Sequence, residues 1–171
     1  LATRADQVAD MLDGLVAEAW PSQTQQVAWE MTSAIQSMAH RNDYLREVEI
    51  DDDGKVELLA PDGRDLRQLD LSAGEKQIFT QALFSAVAAV SERDFPLVVD
   101  TPLGRLDDQH RVNVLKHLAA RSGQVILIST DTEVVNQYLD AIRTKVAKAY
   151  IIRNGTRGGI ARSWPEEGYF E

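Results

Sequence analysis

The sequence contains no cysteine, which excludes disulfide bonds and thiolate metal ligands and fits a reducing compartment. No apolar stretch approaches the roughly 20 residues that a membrane-spanning helix requires, so no membrane partner is expected. The first ten residues, LATRADQVAD, have neither the basic segment nor the apolar segment of an export signal. Together these absences predict a cytoplasmic protein.

Positive charge is also scarce. The chain has 18 lysine and arginine residues against 27 aspartate and glutamate residues, which gives a net charge of −9. A protein that binds DNA by itself needs basic side chains to displace counterions from the phosphates. Acidic residues are instead concentrated in residues 47–57, EVEIDDDGKVE. The composition therefore argues against an autonomous DNA-binding protein, and leaves open an assembly in which other segments supply the positive charge.

The first 19 residues carry a heptad pattern of apolar side chains. Its members follow each other at spacings of four and three: Leu1, Ala5, Val8, Leu12, Leu15 and Ala19. Because proline disfavours helix in the residue before it, we expect this helix to end at Trp20-Pro21. Fewer than about three to four heptads do not establish a coiled coil. The pattern therefore fits either a short amphipathic helix or a coiled-coil stump at residues 1–20, followed by one lobe at residues 21–171.

The next segments change period. Residues 24–40 predict a second helix, whose apolar stripe consists of Val27, Met31, Ala34, Ile35 and Met38. YLREVEI and KVELLA then alternate on either side of DDDG, which predicts a β-hairpin.

From residue 66 onward, helical segments alternate with short apolar strands. The predicted helices lie at about 74–91 and 108–120 and from about 133. The predicted strands are residues 97–99, residues 124–130 and KAYIIRN, with a later hairpin turn in NGTRGG. This alternation is typical of the α/β class, and it predicts a mainly parallel sheet flanked by helices.

The segment LDLSAGEKQ opens one of these helices. The first turn of a helix presents unpaired N–H groups and the positive end of the helix dipole, which attract anions. Ser72 adds a hydroxyl, and Gly74 allows the backbone to approach a phosphate closely. By itself the segment fits a plain helix cap as well as a phosphate contact.

Two strands end in polar side chains. Asp100 ends the apolar run of PLVVDTPLGRLD, and Thr130 and Asp131 follow the strand in ILISTDTEVV. Ligands of open α/β sheets bind at the carboxyl ends of the strands, and a carboxylate there suits Mg²⁺. Each strand end alone fits a polar cap. The helix start in LDLSAGEKQ and the two strand ends, in this order along the chain, together indicate a nucleotide site.

These segments carry a family resemblance. LSAGEKQ resembles the signature motif of ABC-type ATPases, LVVD their Walker B strand, GRLD their D-loop, and STDTEV the switch segment that usually carries a histidine. The combination resembles the chromosome-maintenance (SMC) and break-repair branch. Within that branch it is most similar, over roughly residues 66–135, to the DndD family of ATPases of bacterial DNA phosphorothioation.

The resemblance implies the C-terminal lobe of an ABC/SMC-type P-loop ATPase head, preceded by a coiled-coil stump. It implies ATP and Mg²⁺ as cofactors, with Asp100 as the metal ligand. The residues implied to contact ATP of the opposite head are Leu71, Ser72, Ala73, Gly74 and Glu75. Those implied at the dimer seam are Gly104, Arg105, Leu106 and Asp107, and those implied in catalysis are Asp100, Thr101, Thr130 and Asp131.

The resemblance also implies the partners. They are the chain's own N-terminal lobe with a Walker A loop, a second head joined through ATP, other DNA sulfur-modification proteins, and DNA reached through the assembly. It places the protein at the nucleoid.

Three departures from the family pattern limit what this chain does alone. No G-x-x-x-x-G-K-[ST] phosphate loop occurs in it, so we predict that it does not hydrolyse ATP by itself. Thr101 stands where a catalytic glutamate is expected, and Thr130 where the histidine is expected. Either hydrolysis is slow, or another acid such as Asp131 or Glu133 substitutes. The alternatives are a general DNA-repair ATPase head, a degenerate dimerisation module, and an unrelated α/β enzyme with its own site at Asp100.

Overall fold

The computed structural model describes residues 2–39, 45–68, 71–91 and 94–169. The chain divides into two compact units, Leu1–Phe95 and Pro96–Glu171. The elements of the first unit are α1 (Ala2–Met38), β1 (Glu47–Ile50), β2 (Val56–Leu59), a 3-10 turn (Leu66–Gln68) and α2 (Ala73–Val90). Those of the second are β3 (Leu97–Asp100), α3 (Asp108–Ala120), β4 (Val125–Ile128), α4 (Gln137–Ile142), a 3-10 turn (Arg143–Lys145), β5 (Tyr150–Arg157) and β6 (Ile160–Glu167).

Helix α1 runs through Pro21, so the predicted helix end at Trp20-Pro21 is wrong. Proline in a helix loses one backbone hydrogen bond, but its fixed φ is helical. Two contacts stabilise this turn. The Thr24 hydroxyl donates to the Trp20 and Pro21 carbonyls at 2.9 and 3.1 Å, and the Trp20 indole N–H donates to the Asp52 carbonyl at 3.1 Å. Tertiary packing therefore overrides the local signal of the proline.

The two halves of α1 differ in burial. In the second half, four members of the predicted apolar stripe are buried, which confirms it: Met31, Ala34, Ile35 and Met38. In the first half, Val8, Leu12 and Leu15 of the heptad pattern are 52–54% exposed, while Leu1 lies outside the described residues. Within the described part of the chain, no helix is long and apolar enough to cross a membrane.

The core of the first unit is formed where α1 packs against α2 and β1. The Thr32 hydroxyl accepts a hydrogen bond from the Val48 N–H at 2.9 Å and donates to the Ala28 carbonyl at 2.8 Å, which joins helix to strand. Strands β1 and β2 pair antiparallel across a turn in which Gly54 has φ 77°, so the predicted hairpin is confirmed.

The second unit begins with a βαβ unit in which α3 connects the parallel strands β3 and β4. Helix α3 has the predicted bounds. One face of the strand pair remains exposed and apolar, and consists of Val98, Ile126 and Ile128, which are 41–56% exposed. Asp100 lies on this same face, because side chains two residues apart in a strand point to one side.

The predicted mainly parallel sheet is only partly present. Among the described residues, β3–β4 is the one parallel pair, and the strand predicted in KAYIIRN pairs antiparallel with β6. The reason is local: Gly158 and Gly159 have φ of 62° and 78°, the left-handed values that a two-residue hairpin turn requires. The predicted turn in NGTRGG is therefore confirmed at its last two residues.

Candidate functional site

The N-terminus of α2 is a capping box formed by Ser72 and Glu75. The Ser72 hydroxyl accepts from the Glu75 N–H at 3.2 Å, and the Glu75 carboxylate accepts from the Ser72 N–H at 2.7 Å. A polar cap was the alternative explanation for this segment, and the structure shows that the cap is present. The question is therefore whether the cap leaves room for an anion.

The capping box leaves two backbone N–H groups of the first helical turn unused. The first four N–H groups of a helix lack acceptors within it, and the capping box satisfies those of Ser72 and Glu75. The N–H groups of Ala73 and Gly74 lie between them, and Ser72 and Ala73 are exposed. Leu71, just before the cap, is half-buried. The helix end thus retains the donors and dipole that fit a phosphate group, with the Glu75 carboxylate limiting how much negative charge it accepts.

The carboxyl end of β3 presents Asp100 and a strained residue after it. Asp100 is exposed and pairs in register with Ile128, so it lies at the edge where β4 also ends. Thr101 has φ 47°, a left-handed conformation that is a genuine outlier for a β-branched residue. An exposed carboxylate at this position suits Mg²⁺, which takes one or two carboxylates and completes its shell with water and phosphate. Within the described residues, no cluster of three or more metal-ligating side chains occurs.

Residues 101–106, here called the 101–106 turn, lead from β3 towards α3. Its side chains divide between surface and core. Gly104 and Arg105 are exposed, while Leu103 and Leu106 are 0% and 6% exposed. Of the residues predicted at a dimer seam, Leu106 therefore belongs to the core of this unit through its side chain, whereas Gly104, Arg105 and Asp107 are at the surface.

Asp107 caps α3. One carboxylate oxygen accepts from the His110 N–H at 3.0 Å, and the other lies 2.7 Å from His110 Nδ1. The backbone N–H of His110, helped by its imidazole, holds the pKa of the Asp107 carboxyl below its usual value. Asp107 therefore stays ionised at neutral pH.

Residues 130–135, here called the switch segment, follow β4. Thr130 and Asp131 are exposed, and the Thr130 hydroxyl lies 3.4 Å from that of Thr132. Glu133 is buried instead, and its carboxylate accepts a hydrogen bond from the Leu103 N–H at 2.5 Å. The helix predicted from about residue 133 begins only at Gln137, because this buried contact and Asn136, with φ 50°, interrupt it.

The second unit thus brings together the predicted residues of β3, the 101–106 turn and the switch segment. The signature residues 71–75 belong to the first unit, which forms its own body. Sequence reasoning missed two residues of the second unit. The Tyr138 hydroxyl donates to Asp108 at 2.6 Å, and the Arg111 guanidinium donates to the Leu106 carbonyl at 2.8 Å while lying 5.6 Å from the Tyr138 ring centre. Nothing in the spacing of these residues distinguishes them from ordinary helix positions.

Solved structures of SMC ATPase heads are similar to this chain. One belongs to a study of ATP-driven dimerization and DNA-stimulated activation of SMC ATPases; it is 15% identical, with 88% of this chain and 89% of that chain covered at a TM-score of 0.59. A second is the Smc head of Pyrococcus furiosus with an extended coiled coil, bound to the C-terminal domain of ScpA. It is 14% identical to this chain, with 94% of this chain and 39% of that chain covered and a TM-score of 0.63. A third is the SMC head domain from Thermotoga maritima, which is 18% identical, with 89% of this chain and 51% of that chain covered and a TM-score of 0.54.

This chain therefore spans about nine-tenths of the first of these structures and about half or less of the other two. No family model matches the chain, and no curated protein matches it. None of these three structures points to the DndD family or to sulfur chemistry. At these identities the likeness concerns the fold, and the chain has an SMC head-like α/β fold with short, mixed sheets.

Proposed function

We propose that this chain is the C-terminal lobe of an SMC-like ATPase head that pairs with a second head when ATP is bound. The observation that carries this proposal is Asp100, an exposed carboxylate at the carboxyl end of β3, in register with β4. It occupies the position where α/β sheets bind ligands, in a fold similar to SMC heads. One of those relatives is described by its ATP-driven dimerization.

The missing phosphate loop supports a divided site. Positioning and charge neutralisation drive phosphoryl transfer, and this chain has no loop to hold the β- and γ-phosphates. The exposed apolar face of Val98, Ile126 and Ile128 fits the same conclusion, because such a sheet face is ordinarily covered. We assign its cover to an N-terminal lobe that carries the Walker A loop.

The candidate residues would have different roles in the assembled head. Asp100 would hold Mg²⁺ in its own head, and the Ser72 hydroxyl with the N–H groups of Ala73 and Gly74 would contact a phosphate bound to the opposite head. Bound ATP supplies the phosphoanhydride that the assembly hydrolyses. Arg105 and Asp107 are exposed and would lie at the seam between heads.

Hydrolysis in this assembly is expected to be slow. A threonine hydroxyl, such as that of Thr101 or Thr130, does not take a proton from water at neutral pH. Glu133 is buried and accepts a hydrogen bond from the Leu103 N–H, so one of its oxygens is already engaged. Asp131 is the exposed acid that remains in the switch segment.

The proposal about the biological process rests on the sequence motifs alone. DTPLGRLD together with STDTEV is the combination that resembles the DndD family, and it supports a role beside the proteins that place sulfur in the DNA backbone. With a net charge of −9, the chain would meet DNA through the assembly. A general SMC-like DNA-maintenance role is the coarser alternative, and the similar structures support it.

The decisive experiment joins this chain to an N-terminal lobe with an intact Walker A loop. We expect the joined heads to dimerise with ATP and Mg²⁺ and to remain monomeric without ATP, as measured by light scattering. The control is the same head with its Walker A lysine replaced by alanine, which should stay monomeric. ATPase activity of the present chain alone would contradict the proposal.

A second candidate is a dimerisation module without nucleotide turnover, which the threonines at positions 101 and 130 favour. Such a module would dimerise equally with and without ATP, and with either Walker A variant. The same light-scattering experiment therefore distinguishes the two functions.

A further inference from the structure

Glu133 is a buried carboxylate that is only half satisfied. It is 6% exposed, and one of its oxygens accepts from the Leu103 N–H. Its other oxygen, Oε2, is buried and has no hydrogen-bond partner among the residues that the structure describes. Leu103 itself is fully buried and lies 30 residues away in the chain.

This arrangement is unfavourable for stability by itself. Removing a carboxyl group from water is unfavourable unless hydrogen bonds satisfy its oxygens, and each missing partner adds to the cost. A neutral glutamine could accept the same bond from Leu103 at a smaller desolvation cost. A buried carboxyl group that keeps one oxygen unsatisfied, and that is bonded to the turn which follows Asp100, points to a role beyond packing.

The bond joins the two segments that carry the candidate catalytic groups. Leu103 belongs to the 101–106 turn, which begins with Thr101 directly after Asp100. Glu133 belongs to the switch segment, which begins with Thr130 and Asp131. Leu103 and Glu133 are both buried, so water does not replace either partner of the bond. A shift of one segment therefore either breaks the hydrogen bond or moves the other segment with it.

A second set of contacts joins the same region at its other end. The Tyr138 hydroxyl donates to Asp108, the Arg111 side chain donates to the Leu106 carbonyl, and Arg111 lies over the Tyr138 ring. The chain that follows the switch segment is thereby fixed to the first turn of α3 and to the end of the 101–106 turn. Together with Glu133, these contacts hold both segments as one body.

We propose that Glu133 is a positioning residue that couples the switch segment to the 101–106 turn. A displacement of Thr130 and Asp131 is then transmitted to Thr101 and to the surface residues Gly104 and Arg105, and the reverse also holds. The catalytic meaning of this coupling rests on the proposed function, whereas the coupling itself is a property of the chain and can be tested without nucleotide.

The first test measures amide hydrogen exchange in the full 171-residue chain. We expect Glu133→Ala to accelerate exchange of the Leu103 amide about 10- to 100-fold, because the variant leaves a buried donor without an acceptor, and to accelerate exchange across the switch segment as well. Glu133→Gln keeps an acceptor at the same distance and should stay within about threefold of the parent. The control is Glu166→Ala, which removes an exposed carboxylate paired with Arg153 and should change neither segment.

The coupling is wrong if Glu133→Ala leaves the Leu103 amide protected, or if only the 101–106 turn responds and the switch segment does not. Should the alanine variant fail to fold, Glu133→Asp replaces it, since its carboxylate is one methylene short of Leu103. Thermal unfolding of each variant establishes which of the two is used.

The second test uses the joined head. We expect Glu133→Ala to lower kcat for ATP at least about tenfold with KM within about threefold, and Glu133→Gln to restore kcat. A variant with altered exchange but unchanged kcat would overturn the positioning role. If the parent head shows no ATP-dependent activity, the proposed function fails, while the exchange result still decides whether the two segments are coupled.

Discussion

The backbone N–H of Thr101 donates a hydrogen bond to the Ile128 carbonyl at 2.8 Å, which holds the residue after β3 against the end of β4. Thr101 has φ 47° in this position. A β-branched residue keeps such a strained backbone conformation only where surrounding contacts hold it in place. Strained residues of this kind occur disproportionately at functional sites. Here it coincides with the position where the family pattern has a catalytic glutamate.

Relief of this strain should stabilise the chain. We expect Thr101→Gly to raise the free energy of unfolding by about 1 kcal/mol, because glycine adopts positive φ without a steric cost. Urea unfolding measures the change. The matched control is Thr132→Gly in the exposed part of the switch segment, where φ is not positive and the same substitution should be neutral or destabilising. Equal effects at both positions would contradict the strain assignment.

The proposal that Thr101 replaces a catalytic base can be tested at the same position. In the joined head, we expect Thr101→Glu to increase the ATPase rate about tenfold or more, since general-base catalysis contributes typically 10²- to 10⁴-fold where geometry is optimal. Steady-state phosphate release is the measurement. Turnover that stays the same or falls would remove the support for slow hydrolysis through a missing base.

The metal role of Asp100 has its own test. Asp100→Asn keeps the shape of the side chain and removes its charge, so we expect magnesium-dependent turnover of the joined head to fall by about two orders of magnitude. Asp94→Asn, an exposed carboxylate before β3, is the control and should leave turnover unchanged. Circular dichroism should show both variants folded, because neither side chain is buried.

Ser72 allows the capping role to be separated from the phosphate role. Ser72→Ala should destabilise the chain by about 1 kcal/mol through loss of the cap. Ser72→Asp should retain the cap, since aspartate is an equally good N-cap residue, but its charge would repel a phosphate. We therefore expect normal urea stability and lost ATP-dependent dimerisation for the aspartate variant. Normal dimerisation of that variant would leave Ser72 with a capping role alone.

His117 gives the stability of the chain a pH dependence. Burial lowers the pKa of this imidazole, and the neighbouring Arg121 lowers it further. The folded chain thus binds the proton more weakly than the unfolded chain, whose histidine has a pKa near 6.5. The stability that this residue contributes is therefore complete above about pH 6.5 and decreases as the pH falls towards the folded pKa.

The measurement is urea unfolding between about pH 7 and pH 5, a range set by the histidine pKa. We expect His117→Gln to reduce the loss of stability in this window. Lys116→Gln, at an exposed neighbouring position of α3, should preserve it. An unchanged slope in the His117 variant would show that other groups cause the pH dependence.

The sequence correctly predicted the elements that depend on residues close together in the chain. Helix α3 has the predicted bounds because Asp107 supplies its cap and its apolar residues recur at helical spacing. Three predictions were wrong for a common reason: the helix end at Pro21, the helix start at about residue 133, and the parallel pairing of KAYIIRN. A proline, an acidic residue and an apolar strand each have more than one stable environment, and contacts far along the chain select among them.

The order of residues along the chain was enough to establish four chemical features: an acid after an apolar strand, a helix start with a capping residue and a glycine, no phosphate loop, and threonines at positions 101 and 130. These properties follow from residue identity and from spacings within a few residues. Three further features became known from the folded chain: α1 continues through Pro21, Leu106 is buried, and Glu133 binds Leu103 instead of facing solvent. Such outcomes depend on burial and on bonds that span about 30 residues, and a one-dimensional pattern does not encode them.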